Sequence, residues 1–154
     1  MNNRIPFADY IITALLATIA YCIPLAYFFK NELVTNSWVL YIANSLFTIT
    51  VVIATTVVNI RIHDETSIIK MISTGVKITT ASIIIAIPFA IILFYLLGNH
   101  VIPSNTTGNS LSITLPMLLI NLVVVNIFLG TFAALIAALV FNKYPKNNKG
   151  KDIT

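Results

Sequence analysis

The sequence predicts an all-α integral membrane protein, an antiparallel bundle of four transmembrane helices. Four apolar stretches contain no charged side chain, and each has about the 20 residues that a helix needs to cross a hydrocarbon core roughly 30 Å thick. Only 9% of the residues are charged and 58% are hydrophobic, whereas soluble domains carry about 25% charged residues. We predict a single transmembrane domain, 1–141, and a basic, disordered tail at 142–154. The predicted spans are residues 10–29, 38–60, 78–98 and 115–141.

The basic residues predict how the spans are oriented. With four spans, both termini and the 61–77 connection lie on one side, and that side holds every Lys and Arg of the chain except Lys30. Because positive charge accumulates on the cytoplasmic side of membrane proteins, we expect both termini to lie inside, in a bacterial cytoplasmic membrane. The formal net charge of +4 is thus explained by topology, and we expect no binding of nucleic acid.

The first span is predicted to be retained and not cleaved as a signal. Its apolar run is too long for a typical signal, and bulky Tyr21 stands before Cys22, where a lipoprotein cleavage box needs a small residue. Pro24 removes one backbone hydrogen bond within the span and favours a kink there. Small residues that would let another helix approach closely recur along one face, at Ala14, Thr18, Cys22 and Ala26.

Polar side chains follow one side of the second span. Their spacing of 4, 7 and 4 residues places them near one face of a helix. One interpretation is that these amides and hydroxyls hydrogen-bond to neighbouring helices, because polar groups in hydrocarbon seek partners. The other is that they line a polar path for a solute. We favour packing over a path for these four residues, Asn44, Thr48, Thr55 and Asn59.

The third helix is predicted to begin before its apolar stretch. Lys70 and Lys77 are seven residues apart and therefore share a helix face. A lysine side chain is long enough to reach the lipid headgroups from a position below them. We expect lipid-headgroup contacts at both lysines, either as an interfacial anchor or as a specific site for anionic lipid. Pro88 lies within the apolar part and predicts a second kink.

The fourth span combines asparagines with small residues. Asn126, Gly130, Ala134 and Ala138 recur every four residues, and such a pattern lets helices pack closely. Asn121 lies about 140° round a regular α-helix from Asn126, since 3.6 residues make one turn. The two asparagines are therefore not expected to face the same neighbouring helix.

Depth in the bilayer links the second and fourth spans, which run in the same direction in this topology. Asn44 and Asn121 each lie six residues after the start of their span, about 9 Å deep at 1.5 Å per residue. Thr48 and Asn126 are matched in depth further in. Because a partner at equal depth is the easiest to reach, we predict that the two helices touch near Asn44 and Asn121, with Thr48 and Asn126 deeper.

The residue types inside the spans argue against an enzyme. Haem held between helices needs histidines within spans, but His63 and His100 lie outside them, and Cys22 is the only cysteine. The spans contain no carboxylate for a protease or a proton-coupled carrier. His63, Asp64 and Glu65 are consecutive, so on a helix they would not converge on one ion. We predict no catalytic residue, no metal site and no cofactor.

The region around the second and third spans resembles a group of uncharacterised bacterial four-span membrane proteins. The matching residues are Asn59-Ile60-Arg61, then Asp64, then Gly75, together with the alanine-rich segment 133–138 before the basic tail. The resemblance covers about a third of the chain, and the first span lacks the glycine-rich opening expected of that group. The group has no assigned activity, so the resemblance implies a four-span fold and no site residues.

These observations favour a non-catalytic membrane protein that acts through intramembrane helix contacts, as a small subunit or assembly factor of a membrane complex. Its partners would be the lipid bilayer and other membrane proteins, or copies of itself in a homo-oligomer. A stripe of small residues that faces lipid gains nothing over leucine, so an outward stripe would indicate a partner helix. The alternative function is a small oligomeric channel or carrier with a polar path along the second helix.

Overall fold

The computed structural model describes residues 7–30, 38–62, 67–98 and 114–141. Within these ranges every residue is helical except Ser67 and Thr114, which precede helices. Three features of the sequence lie outside the described residues: the basic tail at 142–154, the consecutive residues His63 to Glu65, and His100. For the described residues the all-α prediction is confirmed, and they contain four helices long and apolar enough to cross a membrane.

Three of the four helices contain a π-helical segment, in which the backbone hydrogen bond reaches from residue i to i+5. Helix α1 is regular, whereas α2 and α3 end in such a segment and α4 contains one in its interior. The bounds are Phe7–Lys30 for α1; Trp38–Thr56 and π-helical Val57–Ile62 for α2; Ile68–Leu93 and π-helical Phe94–Gly98 for α3; and Leu115–Ile120, π-helical Asn121–Val125 and Asn126–Phe141 for α4.

The starts of α3 and α4 follow from local sequence. Helix α3 begins at Ile68, ten residues before its apolar stretch, as the position of Lys70 and Lys77 predicts. Helix α4 begins after Thr114, whose hydroxyl accepts a hydrogen bond from the backbone N–H of Met117 at 3.4 Å. This side-chain cap satisfies one of the backbone donors that the first turn of a helix leaves free.

The helices pack around a common core. Helices α1 and α4 each contact both α2 and α3, and α2 also contacts α3. The largest fully buried side chains are Tyr21 of α1 and Phe47 of α2, whose rings meet edge to face with centroids 6.4 Å apart. Phe29 of α1 and Phe94 of α3 make a similar contact at 5.8 Å. Aromatic side chains therefore fill the core where α1 meets its two neighbours.

Both prolines lie within continuous helices. Pro24 is buried in α1, and Pro88 is exposed on α3. Because each proline lacks a backbone N–H, it leaves the carbonyl four residues earlier without its usual helical donor. The kinks expected at Pro24 and Pro88 remain predictions.

Candidate functional site

The chemistry of the interior comes from amides and hydroxyls. In the described part of the chain, no group of three or more His, Cys, Asp or Glu residues is placed to hold a metal ion. Polar side chains are instead buried between the helices, where they replace bonds to water with bonds to one another and to the backbone. The buried polar residues are Thr18, Asn44, Thr55, Asn59, Thr74, Thr79, Ser82 and Asn126.

An amide pair joins α2 to α4. The Asn44 side-chain amide donates a hydrogen bond from Nδ2 to Oδ1 of Asn121, at 3.3 Å. We call these two residues the amide contact. The contact that equal depth predicts is therefore present in the structure. Thr48, one turn further along α2, donates to the backbone carbonyl of Asn44 at 2.7 Å.

The π-helical segment Asn121–Val125 changes the phase of α4 at the amide contact. The predicted angle of about 140° between Asn121 and Asn126 assumed a regular α-helix of 3.6 residues per turn. An i to i+5 hydrogen bond closes a wider turn, so the angle between residues five apart is smaller than in a regular helix. Asn121 is half-buried and Asn126 is fully buried, and the expectation that the two asparagines face different neighbours stays a prediction.

Asn126 nevertheless does not bond to Thr48. Its side-chain amide is fully buried and donates to the backbone carbonyl of Leu122 at 3.0 Å. Thr48 and Asn126 each donate a hydrogen bond to a backbone carbonyl of their own helix, although they lie at matched depths. Of the two depth-matched pairs, only Asn44 and Asn121 share a hydrogen bond across helices in the described residues.

Two further hydrogen bonds cross between helices. Thr18 of α1 donates to the backbone carbonyl of Ser82 in α3 at 3.1 Å. Thr74 of α3 donates to Oδ1 of Asn59 at 3.2 Å, while Asn59 donates from Nδ2 to the carbonyl of Thr55 at 2.7 Å. The sequence singled out Asn59 and Thr18 but gave no sign that Thr74 and the backbone carbonyl of Ser82 would be their partners, because a sequence pattern on one helix does not show which other helix will lie beside it.

Two glycines bring α3 close to α2 and α4. A Cβ atom added to Gly75 of α3 would collide with the Cβ of Ala134 in α4 and would lie 3.0 Å from Oγ1 of Thr55 in α2. A Cβ on Gly130 of α4 would collide with the side chain of Thr79 in α3. We call Thr55, Gly75, Thr79, Gly130 and Ala134 the glycine contact. Between α3 and α4 this contact leaves no room for one further methyl group.

The small-residue stripes on α1 and α4 both face the interior. Gly130, Ala134 and Ala138 are all buried on α4, as is Asn126. On α1, Ala14 and Thr18 are buried, and Cys22 and Ala26 are half-buried. Neither stripe therefore requires a helix from another chain, because helices of the same chain already cover it.

Four buried polar atoms have no hydrogen-bond partner among the described residues. Each of the two asparagines concerned donates from its NH₂ group but leaves its carbonyl oxygen unpaired, so only part of its bonding capacity is used. Such groups are uncommon in folded proteins and reduce what an interior polar residue contributes to stability. The atoms are Tyr21 OH, Asn44 Oδ1, Thr55 Oγ1 and Asn126 Oδ1.

Lys70 and Lys77 are exposed on α3, on the face that their seven-residue spacing predicts. The Lys77 ammonium lies over the ring of Tyr10 in α1, 5.7 Å from its centroid. Tyr10 was not singled out by the sequence, since its neighbour is remote in the chain. The lysine stem can lie along apolar surface while its ammonium group remains in the polar region of the membrane.

Comparisons of the chain with family models, with curated proteins and with solved structures return no match. The resemblance of residues 59–75 to bacterial four-span proteins therefore stays a prediction.

Proposed function

We propose that this chain is a non-catalytic integral membrane protein that acts through its outward helix surfaces, as a small subunit or assembly factor of a membrane complex. The observation that carries the proposal is the glycine contact. Where Gly75 meets Ala134 and Gly130 meets Thr79, the helices approach too closely to admit another methyl group. Because the helices are this closely packed at the glycine contact, we base the proposal on their outward faces.

The outward surface is predominantly apolar, as contact with lipid or with other membrane helices requires. On α4, for example, Phe128 and Phe132 are 73% and 60% exposed. The partners we propose are the lipid bilayer together with other membrane proteins, or further copies of this chain. The buried stripes of small residues support neither class of partner. The proposal rests instead on the close packing at the glycine contact and on the apolar exterior.

The topology we propose is an antiparallel bundle in a bacterial cytoplasmic membrane, with both termini inside. Tyr10 with Lys77 and Phe29 with Phe94 support the same direction for α1 and α3. Gly75 with Ala134 and Thr79 with Gly130 support opposite directions for α3 and α4. The distribution of Lys and Arg supports the orientation. A reporter fused after Asn105 should be active outside the cell, and one fused after Lys146 inside; the reverse pattern would contradict the orientation.

The alternative function, a channel or carrier with a polar path along α2, is less well supported. Asn44 is 4% exposed, and Thr55 and Asn59 are fully buried within their own chain. A pore between copies of the chain could not be lined by these residues without separating α2 from its neighbours. A path within one chain would require the glycine contact to open.

Gentle solubilisation followed by native mass spectrometry tests the proposed function. We expect the chain to be recovered in a larger assembly, with itself or with other membrane proteins. A lone monomer that passes ions or small solutes when reconstituted in liposomes would contradict the proposal and favour the channel. Gly130→Leu is not a suitable probe of assembly, because Gly130 contacts Thr79 of the same chain and its substitution would disturb the fold itself.

A further inference from the structure

A polar face precedes the apolar part of α3. Lys70, Ser73 and Lys77 are separated by three and four residues and are all exposed, so they occupy one side of the helix. Further along the same side, Ile84 and Pro88 are exposed as well. One helix face thus changes from cationic and hydroxyl-bearing to apolar within about three turns of 3.6 residues.

The Tyr10 ring fixes the position of one of these cations. The ring is half-buried in α1, and the Lys77 ammonium lies 5.7 Å from its centroid. The attraction between an ammonium group and a ring face holds the lysine at the seam between α1 and α3. An ammonium group has three N–H donors, and the ring occupies only one side of it, so donors remain for an anion.

We propose that Lys77 and Ser73, with Tyr10 positioning the ammonium and Lys70 adding a second positive charge, form a binding site for the phosphate of an anionic phospholipid. The phosphate accepts hydrogen bonds from the ammonium and hydroxyl groups, and an acyl chain follows the apolar side of α3 past Ile84. Asp9 directly precedes Tyr10 in α1 and is the acidic residue nearest to Tyr10 in the sequence.

The occupant is a phospholipid because of where the charges lie. Lys77 directly precedes the stretch 78–98, which contains no charged residue, and Lys70 lies about two turns earlier. A lysine in such a place can reach the lipid headgroups. Anionic lipids attract basic residues at this level of the bilayer. The inference goes beyond the proposed function, and it depends only on the chain crossing a membrane.

Binding of phosphatidylglycerol and phosphatidylcholine with identical acyl chains, measured by native mass spectrometry on the purified chain, tests the site. We expect the wild-type chain to prefer the anionic lipid and Lys77→Gln to reduce its binding about fivefold, the effect of one basic residue near an anionic surface. Lys30→Gln removes the same charge from the end of α1 and is the matched control. It should leave the binding unchanged.

A second pair of variants keeps the test decisive if Lys77→Gln does not fold. Tyr10→Phe keeps the ring and should bind phosphatidylglycerol like the wild type, whereas Tyr10→Leu should lose about twofold through the loss of the cation–ring contact. An excess of inorganic phosphate should not displace the lipid, because the acyl chain also binds. The proposal would be overturned if Lys77→Gln and Lys30→Gln lost the same amount of lipid binding, or if the two lipids bound equally well. It would also be overturned if phosphate displaced the lipid, or if the two Tyr10 variants bound it equally.

Discussion

The glycine contact and the amide contact both attach α4 to its neighbours, but they do so by different physical means. At the glycine contact, the absence of a side chain on Gly75 and Gly130 lets the helices approach until backbone and methyl groups touch. At the amide contact, the side chains of Asn44 and Asn121 join the two helices with a hydrogen bond of 3.3 Å. One contact depends on shape and the other on bonding.

This difference determines how each contact responds to substitution. Close packing tolerates added volume poorly, because an added methyl group fits only if the helices move apart. A hydrogen bond between side chains inside a membrane contributes only about 0.6 kcal/mol on average. We therefore expect the glycine contact to control the stability of the fold and the amide contact to make a smaller contribution.

The largest effect is expected for Gly130→Leu. The leucine side chain would have to occupy the position of Thr79, so the free energy of unfolding should fall by about 3 kcal/mol or more. Thr131→Leu changes the adjacent, exposed residue and is the control, with an expected change of less than about 0.5 kcal/mol. Unfolding in mixed micelles measures both. Equal stability of the two variants would show that α3 and α4 do not pack through Gly130.

A smaller effect is expected when alanine replaces Gly130. The new methyl group meets the Thr79 side chain, and the cost should be about 1–3 kcal/mol, partly offset by the better helix propensity of alanine, about 1 kcal/mol. In a Thr79→Ala background most of the steric cost should disappear.

The interaction energy from this double-mutant cycle should be about 1–2 kcal/mol. The four proteins are compared by the same unfolding measurement. Additive losses, with no coupling between positions 79 and 130, would contradict the geometry of the glycine contact.

The smallest effect is expected at the amide contact. Asn44→Ala and Asn121→Ala should each reduce stability modestly, and the coupling between them should be about 0.6 kcal/mol and no more than about 1.7 kcal/mol. A coupling as large as that between Thr79 and Gly130 would remove the distinction between the two contacts. Coupling indistinguishable from zero would show that the two amides do not bond to each other.

The sequence predicted the amide contact better than the glycine contact. Equal depth was enough to pair Asn44 with Asn121, because a buried amide has few partners within reach and depth can be counted along the chain. Gly75 entered only as part of a resemblance, since a single glycine in a helix does not indicate what it touches. The stripe containing Gly130 was visible, but whether it faced inward could not be read from α4 alone.

Local geometry explains what else the sequence could not provide. Asn121–Val125 is π-helical, so an angle calculated for a regular helix does not apply between Asn121 and Asn126. The bond between Thr74 and Asn59 and the contact between Lys77 and Tyr10 depend on which helices become neighbours. That is decided by packing of the whole fold and not by any one segment.

Chemical access to Thr55 tests most directly whether the interior is packed or forms a polar path. Thr55 is fully buried at the glycine contact, and cysteine is of similar size. With Cys22 first replaced by serine, Thr55→Cys is exposed to a charged, water-soluble thiol reagent in native membranes, and Ala8→Cys in the first turn of α1, where the residue is exposed, is the reactive control. We predict rapid modification at position 8 and none at position 55 until the chain is unfolded in detergent. Modification at position 55 at a rate similar to that at position 8 would contradict the packed interior and favour a water-filled path.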